Sequence, residues 1–224
     1  SGAEDCPARV YALLQERCPR AVVVEGYGIT ECSPIVSVDD PGDPHPFTIG
    51  RLLPSVQMAL VDVETGGPVA PGASGMLLVR GPSVFSGYLG DAPSPFVRHD
   101  GHDWYRTGDL VSADAAGLLT FRGRLKRFVK IGGEMISLPA IESTLLAALS
   151  EGAEDGSILA VLATSDTDRP ELVLCTIRAI QREEVNRLIG AAGLSPLQYI
   201  RRVIQVDSIP VLGTGKTDYR ALQE

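Results

Sequence analysis

Five short stretches carry side chains whose types and spacing could do chemistry. The first is VLGTGKT, Val211 to Thr217. A glycine-flanked lysine followed by threonine is how a phosphate-cradling loop ends, but that loop needs Gly-x-x-x-x-Gly-Lys-Ser/Thr so that backbone N–H groups meet the phosphates. The first glycine falls on Pro210, which has no N–H to give. Only Thr217 to Glu224 follow, room for a stub helix of about two turns. Lys216 is therefore a cation on a flexible glycine loop that serves some other end. The second stretch is VVVEGYGITE (22–31), a strand running into Gly26-Tyr27-Gly28. It could open a dinucleotide fingerprint, G-x-G-x-x-G, but the third glycine position is Glu31. A carboxylate facing a pyrophosphate requires a cation between them, so Glu31 beside a nucleotide implies Mg²⁺.

The third is WYRTGDL (104–110), where Asp109 ends a Thr-Gly-Asp turn. A carboxylate that accepts two hydrogen bonds suits a ribose diol, and an Asx-type turn is the plainer alternative. The fourth, HDGHD (99–103), gathers two His and two Asp. It lacks a helical His pair or a second cluster to complete a metal site, so a solvated loop is expected. His45 stands alone in a proline-rich loop and receives no role. The fifth, GRLKRFVKIGGE (123–134), sets Arg124, Lys126, Arg127 and Lys130 on one hairpin. That is either a solvated basic face or a docking surface for an acidic or phosphorylated partner.

These stretches need elements to hold them. CPARVYALLQERCPR reads as a short helix with Val10, Leu13 and Leu14 on its apolar face, stopped by Pro19. AVVVEGYG reads as one buried strand entering a glycine turn, as in an α/β layer. An aperiodic stretch, DDPGDPHPFTIGRLLP, follows. Strands are then expected at 56–62, 75–81, 104–111 and 118–123, separated by glycine and proline turns. From residue 123 the pattern changes. A hairpin closes through Gly132-Gly133, and a helix follows with Pro139 near its start and a stripe of Ile141, Leu145, Leu146 and Leu149. Strands over SILAVLA, ELVLCTI and RRVIQVD, with a helix over REEVNRLIGAAG, complete an α+β unit. The boundary is expected at Gly123–Lys126.

Composition limits the function classes. The net charge of −8 argues against nucleic acid as the main partner. It is uneven, −7 over residues 1–122 and −1 over 123–224. Of 20 cationic residues only Lys126, Lys130 and Lys216 are lysine, all in the second half. Apolar runs fall short of the ~18 residues of a membrane span. Cys6, Cys18, Cys32 and Cys175 have no metal-binding spacing and are expected as reduced thiols, which points to a cytoplasmic setting. No G-x-S-x-G elbow or Cys/His pairing suggests covalent catalysis.

In order and spacing, EGYGITE, GMLLVRG, YRTGDL, GRLKRFVK and GTGKTDYR resemble the successive core motifs of the adenylate-forming enzymes: acyl- and aryl-CoA synthetases, adenylation domains and luciferases. Within that family ECSPIVS, KRFVKIGGEMISL and IPVLGTGKTDY are similar to the acyl-carrier-protein synthetase half of bacterial 2-acylglycerophosphoethanolamine acyltransferases. Gly75-Met76 departs from the family's usual Gly-Glu.

The resemblance implies an α+β chain in two parts. Residues 1–122 would be the carboxyl-terminal remainder of a large AMP-binding domain, with a β-rich subdomain over about 45–122. Residues 123–224 would be a mobile α+β domain. It implies an ATP-dependent ligase that activates an acid, a long-chain fatty acid in the finer match, as an acyl-adenylate and passes it to CoA or to the phosphopantetheine of acyl carrier protein. Tyr27 would stack on adenine, with Gly26 and Gly28 allowing the backbone to approach. Thr30 would contact phosphate, Glu31 would hold Mg²⁺, and Asp109 and Arg124 would serve the ribose. Lys126 would be the hinge, Gly132 and Gly133 would line the pantetheine tunnel, and Lys216 would bridge the carboxylate and the α-phosphate. It also implies a missing upstream part of the large domain, which makes this chain a piece not fully active alone. The alternatives are a non-catalytic module that binds AMP or carrier protein and, opposed by Glu31, a Rossmann-type oxidoreductase.

Overall fold

The computed structural model describes residue 6 and residues 8–149, 158–164, 170–213 and 215–223. The chain divides into two units, Ser1–Leu125 and Lys126–Glu224. Each is a mixture of helix and strand with its own apolar core, so the fold class is α+β.

In the first unit, α1 (Ala8–Arg17) stops ahead of Pro19. Its apolar face is only partly covered, with Leu13 exposed and Val10 and Leu14 half-buried. The stretch read as one buried strand over 21–28 is a strand only at β1 (Gly26–Gly28). That strand pairs antiparallel with β2 (Ile35–Val38), and β2 pairs antiparallel with β3 (Arg51–Leu52). Among the described residues the ladder of β2 reaches back only to Gly26. The Glu25 carbonyl accepts the Asp39 N–H at 2.9 Å, but a strand needs the paired ladder to continue residue by residue. This geometry also overturns the Rossmann alternative. A dinucleotide fingerprint feeds a helix and a parallel strand, whereas β1 passes through a single 3₁₀ turn, Thr30–Cys32, into an antiparallel partner.

Five strands then build an antiparallel sheet: β4 (Gln57–Val61), β5 (Ser74–Arg80), β6 (Phe96–His99), β7 (His102–Ala113) and β8 (Leu119–Arg124). The central β7 is long because both of its edges are used. β5 flanks one edge, while β6 pairs with residues 102–105 and β8 with residues 109–113 on the other. The HDGHD stretch is largely solvent-exposed, as expected of a solvated loop, and forms the tight turn between β6 and β7. Asp100 and Gly101 take the positive φ values, 46° and 75°, that a two-residue hairpin turn demands. Tyr27, Val36, Leu77, Val79, Tyr105, Val111 and Leu119 fill this unit's core.

In the second unit, β9 (Phe128–Ile131) and β10 (Glu134–Ser137) pair with Ile131 opposite Glu134. Gly132 and Gly133, at φ 60° and 89°, make the turn between them. The next helix, α2 (Leu138–Leu149), tolerates Pro139 because its second residue needs no intrahelical N–H partner. The Ser137 hydroxyl accepts the Ala140 N–H at 3.2 Å. β11 (Leu159–Ala163) lies antiparallel to β12 (Leu172–Thr176). α3 (Arg182–Ala191) then leads to β13 (Arg202–Gln205), which lies parallel to β12. Ile141 and Leu145 of α2 and Val185 and Ile189 of α3 pack with Val161, Leu172 and Leu174 in one core. Ala160, Leu162, Val173 and Cys175 pack with Ile209 in another, backed by Tyr219 and Leu222. The stub helix expected after Lys216 is instead a run of turns over 219–223. The four cysteines carry free thiols. Among the described residues no helix is long and apolar enough to cross a membrane.

Candidate active site

β1 sets the first part of the site. A Cβ on Gly28 would lie 2.3 Å from the Pro34 carbonyl oxygen and one on Gly26 would lie 3.1 Å from that of Ser37. Gly28 is thus required by the close approach of the chain's own backbone, and Gly26 sits tightly against it. Between them Tyr27 turns inward and is buried, its ring stacked near Phe121 with centroids 6.1 Å apart. The 3₁₀ turn that follows leaves Thr30 exposed and Glu31 half-buried, and closes with Ser33 at φ 58°.

β7 sets the second part. Gly108, at φ 73°, breaks the strand's alternation just before Asp109. The Thr107 hydroxyl donates to the Leu77 carbonyl at 2.8 Å and accepts the Asp109 N–H at 3.0 Å. Asp109 is thereby held inward, with 1% of its surface exposed. The Tyr27 hydroxyl donates to its Oδ2 at 2.5 Å. Register places Arg124 of β8 directly opposite Asp109, and the guanidinium Nε lies 3.3 Å from Oδ1. The approach does not make a hydrogen bond, so Oδ1 is a buried acceptor with no hydrogen-bond partner. Burial raises the Asp109 pKa above the ordinary carboxylate range, against the Tyr27 hydrogen bond and the Arg124 charge, and the charge of Glu31 adds to the rise. Burial, then the Asp109 charge, push the Tyr27 phenol well up, so it keeps its proton.

Tyr27, Glu31, Asp109 and Arg124, scattered over nearly a hundred positions, therefore share one neighbourhood. Sequence reasoning missed Tyr88, whose hydroxyl donates to Glu31 Oε1 at 2.7 Å, and Phe85, whose N–H donates to the Glu31 carbonyl at 2.8 Å. Phe85 packs edge-on against both Tyr88 and Tyr105. The only signal for them was an aromatic pair inside a turn-rich stretch. Among the described residues no three His, Cys, Asp or Glu side chains gather as a metal cage. A lone half-buried carboxylate fits Mg²⁺ all the same, because that ion keeps several waters and takes further oxygens from phosphates.

Lys126, Gly132, Gly133 and Lys216 belong to the second unit. Lys126 sits in the 3₁₀ turn Leu125–Arg127. A Cβ on Gly132 would touch Leu197 at 3.3 Å, while one on Gly133 would meet nothing within 4 Å. Lys216 is exposed on a loop bridged at Val211 and Thr217. The Leu212 N–H donates to the Lys216 carbonyl at 2.7 Å, and the Asp218 N–H to that of Pro210 at 2.8 Å.

The first unit thus holds a strand–turn with a buried, partly unsatisfied aspartate beside it, the second an exposed lysine loop, and the chain is similar to several known proteins. Residues 1–89 match the family model described as AMP-binding enzyme. Novobiocin biosynthesis protein H of Streptomyces niveus is 31% identical over 233 residues, covering 99% of this chain and 37% of that protein. The 4-coumarate–CoA ligase of Pinus taeda is 26% identical over 221 residues, covering 96% of this chain and 41% of that enzyme. The crystal structure of ATP-bound MatB from Rhodopseudomonas palustris is similar with a TM-score of 0.79 and 28% identity, over 99% of this chain and 44% of that one. This chain spans about two fifths of the length of these curated relatives. Together the matches make this chain similar to AMP-binding enzymes, CoA ligases among them.

Proposed function

We propose that this chain supplies the nucleotide turn and the adenylation lysine of an ATP-dependent, AMP-forming acid–thiol ligase, acting with the upstream remainder of a large domain. A carboxylate would attack the α-phosphate of ATP and release pyrophosphate. The acyl group would then leave AMP for a thiol. The observation that carries this reading is Asp109: a buried carboxylate with one oxygen held by Tyr27 and the other without a hydrogen-bond partner. A ribose hydroxyl donated to Oδ1 would satisfy it, and leaving a buried acceptor unmet costs about 1–3 kcal/mol. Arg124, opposite Asp109, would hold the carboxylate in place and contact the ribose. Tyr27, with its hydroxyl pinned, would offer a fixed ring to adenine beside Gly26 and Gly28.

Thr30 and Glu31 would face the phosphates, and a Mg²⁺ held by Glu31 would neutralise phosphate charge. Lys216 would place its ammonium where negative charge builds during attack, the electrostatic stabilisation on which phosphoryl and acyl transfer depend. Lys126 lies between two anchored arginines: Arg124 is paired with Asp109 in one unit and Arg127 with Glu142 in the other. That arrangement suits a hinge at Lys126. Gly132 and Gly133 would border the path of the pantetheine thiol, an acceptor arm shared by CoA and acyl carrier protein. The pine relative, a 4-coumarate–CoA ligase, favours CoA, whereas the motifs ECSPIVS, KRFVKIGGEMISL and IPVLGTGKTDY favour carrier protein and a long-chain fatty acid.

The test is Lys216→Ala in the protein that turns over. Loss of ATP–pyrophosphate exchange, with thioester formation from supplied acyl-adenylate largely kept, supports the assignment; unchanged exchange removes it. Calorimetry of AMP against this chain checks the nucleotide turn separately.

A further inference from the structure

Glu142 of α2 is buried at 8% exposure although it is a carboxylate. Both of its oxygens are occupied. Oε1 accepts Arg127 Nη2 at 2.7 Å and the Val161 N–H at 2.7 Å, and Oε2 accepts the Tyr219 hydroxyl at 3.0 Å. Arg127 also gives Nη1 to the Val161 carbonyl at 3.3 Å and lies over the Tyr219 ring, 3.6 Å from its centroid. Burial first, and the Glu142 charge second, push the Tyr219 phenol up to about 12, so it donates at neutral pH. The ring meanwhile packs with Leu222 against the sheet face formed by β11 and β12.

Four segments far apart in sequence meet here: the residue after Lys126, the middle of α2, the middle of β11, and the run of turns that follows Lys216. A buried ion pair is a poor source of net stability, because desolvation offsets the attraction. It is a good means of fixing geometry, since its partners tolerate little displacement. The network reaches the lysine loop itself, because Tyr219 lies three positions after Lys216 and Thr217 between them is bridged to Val211. The loop is thus tied at its base.

We propose that Arg127, Glu142 and Tyr219 form a positioning network that locks the Lys216 loop to the body of its unit, so that the residue beside the hinge and the loop move together. The inference rests on the reading of Lys216 as the adenylation lysine. A long flexible side chain delivers its charge accurately only if its backbone is fixed, and a displacement of about 1 Å costs on the order of 10²-fold in rate.

The test compares Tyr219→Phe with Lys216→Ala in the protein that turns over. Tyr219→Phe keeps the ring over Arg127 and removes only the donor. The expected result is a fall of about tenfold or more in kcat for pyrophosphate exchange, with KM for ATP within about twofold, the pattern of an interaction made in the transition state. Thioester formation from supplied acyl-adenylate stays unchanged. Hydrogen exchange at the Leu212 and Asp218 amides speeds up by about tenfold while that in α3 does not, a readout independent of activity. Glu142→Gln, which removes the charge but keeps the shape, gives the same split between half-reactions. Equal losses in both half-reactions, or full adenylation in Tyr219→Phe while Lys216→Ala is inactive, overturn the network. Full adenylation in Lys216→Ala instead overturns the ligase reading on which it stands.

Discussion

Replacing Tyr27 with Phe removes one oxygen and keeps the ring beside Phe121, so the perturbation isolates a single hydrogen bond. That bond is the one to Asp109 Oδ2, and Oδ1 has no hydrogen-bond partner to compensate. The variant is left with a carboxylate at 1% exposure whose remaining help is the Arg124 charge 3.3 Å away. A hydrogen bond to a charged group contributes about 1.5–3 kcal/mol. In a chain of this size that is a drop of roughly 3–12 °C in the unfolding midpoint. Trp104, the one tryptophan of the protein, is buried on β7, the strand that carries Asp109. Its fluorescence therefore reports the first unit specifically.

The sign with pH follows from the same geometry. The Tyr27 bond favours the charged form of Asp109, whereas burial raises its pKa. Without the bond the pKa rises further. The penalty is then complete above the variant's Asp109 pKa, shrinks as pH falls through it, and vanishes once both proteins hold the protonated acid. Urea melts followed at Trp104 from about pH 8 down to about pH 4, near the ordinary carboxylate pKa, measure it directly. A penalty that stays flat over that range, or a variant as stable as the parent at the alkaline end, refutes the account.

Asp109→Asn tests the converse. A raised carboxylate pKa contributes stability that is complete below the unfolded value and lost as pH rises through the folded one, so the neutral isostere should melt a few degrees higher near pH 8. The same change should weaken AMP binding by about tenfold or more in calorimetry; a lower melting point with AMP binding intact contradicts both halves. Gly28→Ala should destabilise the first unit by about 1–3 kcal/mol, the cost of overpacking a tight site, since its Cβ would lie 2.3 Å from a backbone oxygen. A Trp104 melt matching the parent's would show that β1 and Pro34 are not so closely opposed.

Where interactions are local, the amino-acid order alone was enough. The Gly132-Gly133 turn appears where expected because a two-residue hairpin needs positive φ at both positions. The stripe of Ile141 and Leu145 made α2 legible because residues four apart share a helix face. Strands β4, β5, β7 and β8 were signalled by turn residues at their ends, while β6 was hidden in a proline- and serine-rich stretch and became a strand only because β7 offered it an edge. Residues 21–25 failed in the opposite sense, being apolar enough for a strand yet lying outside the ladder that β2 forms with β1.

The types of the chemical residues were likewise readable in order: the Gly-Tyr-Gly turn, the acid after Thr-Gly, the lysine between glycines. Their partners were not. Tyr27 meets Asp109 across 82 positions and Tyr219 meets Glu142 across 77. Those pairings depend on strand register and on how a helix is laid over a sheet. A slip of one residue in register would turn Asp109 to the other face. Sequence sets what each residue can donate, accept or tolerate within its own turn of chain. Only the packed sheets decide which distant groups come within hydrogen-bonding reach, because that depends on contacts summed over the whole core.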